Sequence, residues 1–221
     1  YLPMGRRRPW VIIGQLGLIL SFIAMAFVPD PLNNPELMLA AGFALGCFGA
    51  FQDVATDGMA IDIVPTDQQA RANGFMWGAK IIGTSASLAL GSWMINAYGF
   101  KSAILTLSIL VGLIMLVPVC LRERPGEKFL PWSKGKSSPE TEKMQIGSWS
   151  VILKSLYKVF SLRNSLLLAV LLFITQGSYN YIATLLPIFT VQALGWSDQA
   201  YSQYFATASL AGGIGGMLIG G

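Results

Sequence analysis

An all-α, polytopic membrane fold follows from three features of the sequence: long apolar runs, few charges, and basic residues gathered on one side. Hydrophobic residues fill 53% of the 221 positions and charged residues only 12%, against ~25% charged in soluble domains. About 20 helical residues cross the hydrocarbon of a bilayer. Runs near 10–28, 37–62, 72–96, 102–121 and 165–190 reach that length, and a sixth begins near 201. Of the 15 lysines and arginines, 13 precede the first run or lie in the second and fourth connections. Lys80 sits within a span and Lys101 in a connection on the other side, among Asp30, Glu36 and Asp198. This positive-inside pattern puts residues 1–9 and 122–164 in the cytoplasm. The net charge of +4 is thus accounted for by topology, and no nucleic-acid partner is expected.

In chain order, Gly5-Arg-Arg-Arg-Pro-Trp10 reads as a tight cytoplasmic connection, with Trp10 at the depth of an aromatic belt. The three prolines of Pro29-Asp-Pro-Leu-Asn-Asn-Pro35 cannot continue a helix, so this is a short outer turn. Thr66-Asp-Gln-Gln-Ala-Arg71 is an equally short inner turn and makes spans two and three antiparallel neighbours. Span four, from Ser102, is almost wholly apolar and is expected to face lipid. Residues 133–145 are rich in Ser, Lys, Glu, Pro and Gly, as in a flexible linker. Trp149, Leu153, Leu156 and Phe160 then share one helical face with Lys154 and Lys158 turned away, which suits an interfacial amphipathic helix. Three regions result: four helices in 1–121, a cytoplasmic linker with that interfacial helix in 122–164, and two helices in 165–221.

The stretch 49–65 carries the functional signal. Asp53 and Asp57, four apart, stack on one helical face with Gly42, Gly46 and Gly49 upstream, while Phe51 points the other way. In a hairpin centred near residue 67–68, Lys80 lies level with residue 55, because both helices rise ~1.5 Å per residue. Asn73, Thr84, Ser87 and Gly91 share the Lys80 face. A charge deep in a span costs ~2.5–3.5 kcal/mol even on the lenient insertion scale. Lys80 is therefore expected to bridge Asp53 and Asp57. Two carboxylates against one ammonium leave a negative charge over, which either a cation from other helices of the protein or a proton on one aspartate neutralises. On span five, Gln176 and Asn180 share a face with Thr184, flanked by Tyr179 and Tyr181. With Gln52 and Asn73, the residues Gln176, Tyr179 and Asn180 are the expected cavity lining. Arg6, Arg7, Arg8, Asp62 and Arg71 are the expected cytoplasmic latch.

Other chemistries find little purchase. Cys47 and Cys120 fall inside spans and the chain has no histidine. A disulfide framework, a metal site and a His-based triad are therefore not expected, and no cofactor is implied. The spans hold no paired nucleophile and base for an enzyme, and no pore ring or filter loop for a channel.

Four spans, a cytoplasmic linker of some 40 residues and further spans resemble the middle of a major facilitator transporter, holding its helices three to eight. Gly5-Arg-Arg-Arg8 resembles the end of the family's basic loop between helices two and three. Leu121-Arg-Glu-Arg-Pro-Gly-Glu127 is similar to the exit from helix six, and Leu194-Gly-Trp-Ser197 to the turn between helices seven and eight. More narrowly, Phe51-Gln-Asp-Val-Ala-Thr-Asp-Gly58 resembles helix four of AmpG-type muropeptide permeases and the related acetyl-CoA transporters. Pro3-Met-Gly-Arg-Arg-Arg-Pro-Trp10 matches the permease loop in style. The Asp-Arg pair upstream of that loop is not visible. Gly83-Thr-Ser-Ala-Ser-Leu-Ala-Leu-Gly91 lacks the proline of the antiporter motif, which favours symport. The resemblance implies a monomeric secondary transporter in a bacterial inner membrane. It would import an anhydro-muropeptide or similar sugar–peptide with protons, and an acetyl-CoA or other organic-anion carrier is the alternative.

Overall fold

The computed structural model describes residues 4–125, 127–129, 132–133, 139–143 and 149–220. Within them the chain is helical: α1 (Arg8–Ala26), α2 (Pro35–Ile63), α3 (Gln69–Tyr98), α4 (Phe100–Cys120), α5 (Pro139–Lys143), α6 (Trp149–Phe160), α7 (Arg163–Gln192) and α8 (Asp198–Gly220). The helices α1, α2, α4 and α7 are long and apolar enough to cross a membrane. α3 and α8 have comparable length, but Arg71 and Lys80 dilute the apolar character of the first, and glycine that of the second. Local chemistry sets the boundaries. α2 opens on Pro35 at its first position, where the missing N–H costs nothing. α3 and α4 are joined by Gly99 alone, at φ +83°, a left-handed conformation that glycine adopts freely. Gly195, at φ +70°, turns the chain three residues past the end of α7.

The chain divides into two compact units. The first holds α1 to α5 together with Ser202–Gly221, the greater part of α8; the second runs from Met144 to Tyr201. In the first unit α1 is central, packed on α2 and on α4, and α3 packs on α4. α2 and α3, though consecutive, barely touch. The two helices are antiparallel neighbours, as the sequence leads one to expect, but each has its main packing partner elsewhere and space is left between them. Small residues permit the tightest contact. A Cβ on Gly14 would lie 3.1 Å from that of Gln52, and one on Gly17 would overlap the Phe48 ring. Trp10 meets Phe51 edge to face at 5.9 Å, so the Phe51 side of α2 is the side turned to α1. α8 lies against α3, with Met217 over Gly78 and the Ser202 hydroxyl donating to Ser92 Oγ at 3.1 Å.

The helix ends at the arginine-rich pole are cross-braced. Glu123 Oε2, just beyond α4, accepts the backbone N–H groups of Arg7 and Arg8, each at 2.9 Å. It thereby satisfies donors at the start of α1 and places a negative charge on the positive end of that helix. In return, the Arg8 guanidinium donates to the carbonyls of Pro118 and Val119 in the last turn of α4, and to Lys128 O. Arg8 is 1% exposed and stacks over Phe129, 5.3 Å from the ring centroid. Arg124 ties the α2 end to the linker, donating to Asp62 O at 3.1 Å and to the Thr141 hydroxyl at 2.9 Å. Thr141 in turn donates to Glu127 Oε1. The stretch 133–145, expected to be flexible, therefore includes one helical turn, α5, with Thr141 buried beneath it. Residues 134–138 and 144–148, including Lys134 and Lys136, lie outside the described residues.

Two outcomes test this packing in the purified full-length protein. Gly17→Val costs about 1–3 kcal/mol of stability, the usual penalty of overpacking, whereas Gly112→Ala is neutral because its Cβ meets Ile19 at an ordinary 3.9 Å. Equal thermal midpoints for the two variants would refute the close α1–α2 approach. Glu123→Ala lowers stability by about 1–3 kcal/mol by stranding two N–H donors, and Glu123→Gln, which keeps an acceptor oxygen, recovers part of that loss. The same thermal scans decide it.

Candidate functional site: the cleft between α2 and α3

The acidic face of α2 is turned away from its packed face. Positions 48, 52 and 55 contact or are buried against the bundle. The Asp53–Asp57 face is centred ~150° around the helix from them, by its 100° step per residue. Gly42 and Gly46 continue that face with nothing within 4 Å of a built Cβ. Across the space stands α3. Lys80 Nζ lies 2.8 Å from Asp53 Oδ2 and 5.7 Å from the Trp77 ring centroid. The Thr84 hydroxyl donates to Lys80 O at 2.9 Å, so it is spent on its own helix.

The bridge to both aspartates does not form. Lys80 pairs with Asp53, while Asp57 makes no ion pair among the described residues. The reason is register. α2 ends at Ile63 and α3 begins at Gln69, which centres the turn on residue 66 rather than 67–68. Lys80 then falls level with residue 52, and Asp57 with residue 75. Asp57 accordingly lines a cavity of about 440 Å³ with Ala60, Ile61, Gln69, Asn73 and Met76. The structure thus puts Asp57 and Asn73 on one cavity, with the Lys80–Asp53 pair bridging the same two helices about one turn away.

Gln52, expected in the cavity, sits against Gly14 of α1, with its Oε1 buried and unpartnered. It belongs to the helix interface, because α2 presents that side to α1. Gln176, Tyr179 and Asn180 are exposed along α7 in the second unit, where Asn180 O accepts the Thr184 hydroxyl at 2.8 Å. Of the expected latch, Arg6 and Arg7 pair with Asp62 at 3.2 and 3.1 Å. Arg8 turns to the α4 end instead, and Arg71 stands over Phe75 at 5.8 Å. Sequence reasoning missed Glu123, Arg124, Glu127 and Thr141. The available signal was a pair of carboxylates set among arginines just past a span, at the same pole as a helix N-terminus.

Chemically, the facing helices offer one matched ion pair and, beside an open and mainly apolar space, one further carboxylate. Among the described residues no cluster of His, Cys, Asp or Glu is arranged to hold a metal ion.

The model of the Major Facilitator Superfamily matches residues 3–221. A protein of Haemophilus influenzae (strain Rd) named "Putative metabolite transport protein" is 28% identical over 132 residues, 59% of this chain and 29% of that protein. The match therefore spans under a third of the relative's length. No solved structure matches the chain. Matched along nearly its whole length, the chain belongs to the Major Facilitator Superfamily.

Proposed function

We propose that the protein containing this chain is a proton-coupled secondary transporter in a bacterial inner membrane, its arginine-rich pole in the cytoplasm, importing an anhydro-muropeptide or similar sugar–peptide by alternating access. The observation that carries the reading is the unmatched carboxylate of Asp57 on the α2–α3 cavity, one turn from the Lys80–Asp53 pair. The three charges of the cleft sum to one negative charge. A proton on Asp57 brings the cleft to neutrality, and a neutral cleft is the cheaper one to carry through the closed intermediate of an alternating-access cycle. Proton binding on the outer side and release on the inner side then give the cycle its direction.

Lys80 has a positioning role in this scheme. It is the ion-pair partner of Asp53 and leaves Asp57 as the carboxylate without one. The braces at the arginine-rich pole, Arg6 and Arg7 on Asp62 and Arg8 on the α4 end, keep α1, α2 and α4 together. This half then moves as one body, and the cleft keeps its geometry through the movement.

Uptake by the full-length protein in proteoliposomes tests the scheme, with labelled anhydro-muropeptide, free sugar, dipeptide and acetyl-CoA offered in turn. Asp57→Asn lowers pH-gradient-driven uptake at least about tenfold while exchange of cargo across the membrane continues, as expected of an uncoupled carrier. Asp53→Asn strands Lys80 and reduces both activities together with protein yield. Unchanged gradient-driven uptake in Asp57→Asn would overturn the coupling role, and uptake of acetyl-CoA alone would overturn the cargo.

A further inference from the structure

We infer that α6 is a membrane-surface helix whose partner is the anionic lipid of the inner leaflet. At 100° per residue, Ile152, Leu153, Leu156, Tyr157, Val159 and Phe160 fall on one broad arc. Lys154 and Lys158 lie on the opposite side. The arc is uncovered: Leu153 is 62% exposed, Tyr157 79% and Phe160 56%. Twelve residues with so much open apolar area need a covering phase, and α6 touches α7 little.

The joint to α7 says which phase is in reach. Only Ser161 and Leu162 separate Phe160 from Arg163, where α7 begins. Ser161 N–H donates to Tyr157 O at 2.9 Å and Leu162 N–H to Val159 O at 3.2 Å, so the link is wound tight rather than paid out. Even fully extended, two residues reach only ~7 Å. α7 is long and apolar enough to span a bilayer, and its first residue therefore holds the end of α6 at the bilayer surface. A helix held there with an open apolar arc sinks that arc ~5–10 Å into the headgroup–acyl boundary.

Charge selects the lipid. No carboxylate occurs between Glu142 and Asp198, while Lys154, Lys158 and Arg163 all lie in that interval. The two lysines sit across a helix ~10–12 Å wide, about one Debye length from the surface at physiological salt. They bias the helix toward an anionic surface, and apolar burial supplies the main attachment.

Spin labels report the seating directly in the full-length protein on a cysteine-free background. Labels placed by Leu153→Cys, Leu156→Cys, Phe160→Cys, Val151→Cys and Ser155→Cys are examined in nanodiscs of phosphatidylglycerol with phosphatidylcholine, and of phosphatidylcholine alone. The first three are expected to collide with oxygen, and the last two with a water-soluble nickel chelate. In phosphatidylcholine alone, the oxygen-to-nickel ratio at the first three falls about twofold, and Lys154→Gln with Lys158→Gln removes that lipid dependence. Nickel access at all five positions would place α6 in water and overturn the inference. So would shielding of the first three from both reagents, the mark of a protein cover. Equal ratios in the two lipids would overturn the anionic preference. The readout is lipid contact and not transport, so it stands apart from the proton-coupling proposal.

Discussion

The exchange of helix ends between α1 and α4 is the constraint on which the first unit depends. The N–H groups opening α1 need acceptors and the carbonyls closing α4 need donors. Glu123 and Arg8 answer both needs across 115 residues of sequence. Among the described residues, the largest fully buried side chains are Arg8, Glu127, Thr141 and Ser85. Large apolar groups lie outside instead, with Phe173 80% exposed and Leu218 79%. A bilayer is as apolar as leucine, so burying leucine orients nothing. Small-residue packing and polar pairing choose which helices meet.

That choice shapes the cleft. With α2 drawn onto α1 through Gly14 and Gly17, and α3 drawn onto α4, the two consecutive helices stand apart. The glycine and acid stripe of α2 then looks into open space rather than into a packed interface. Two charges from facing helices can still meet there, because a lysine side chain spans the gap that the backbones leave. A second carboxylate one turn away stays unmatched, and the cleft keeps a titratable charge that a close-packed hairpin would have expelled.

The linker is held differently at its two ends. On the α4 side, a threonine hydroxyl sits between a guanidinium and a carboxylate, a contact of fixed geometry. On the α7 side, an amphipathic helix leaves its apolar arc open and touches α7 little. Polar clasps fix a position, whereas apolar faces fix only a surface.

By itself the sequence determined the seven helices other than α5 and their approximate limits, since periodicity and prolines act within a few residues. It also determined that Lys80 needs a carboxylate, because an unpaired charge in a span is costly wherever it lies. Tertiary structure alone decided which carboxylate: one to two residues in the centring of a turn separate a shared lysine from one bound to Asp53. It likewise decided that Gln52 faces α1, because a helical face has no meaning until its neighbour is known. Arg8, Glu123, Arg124 and Thr141 come together from segments far apart in the chain, and no local pattern records a meeting that only packed helices bring about.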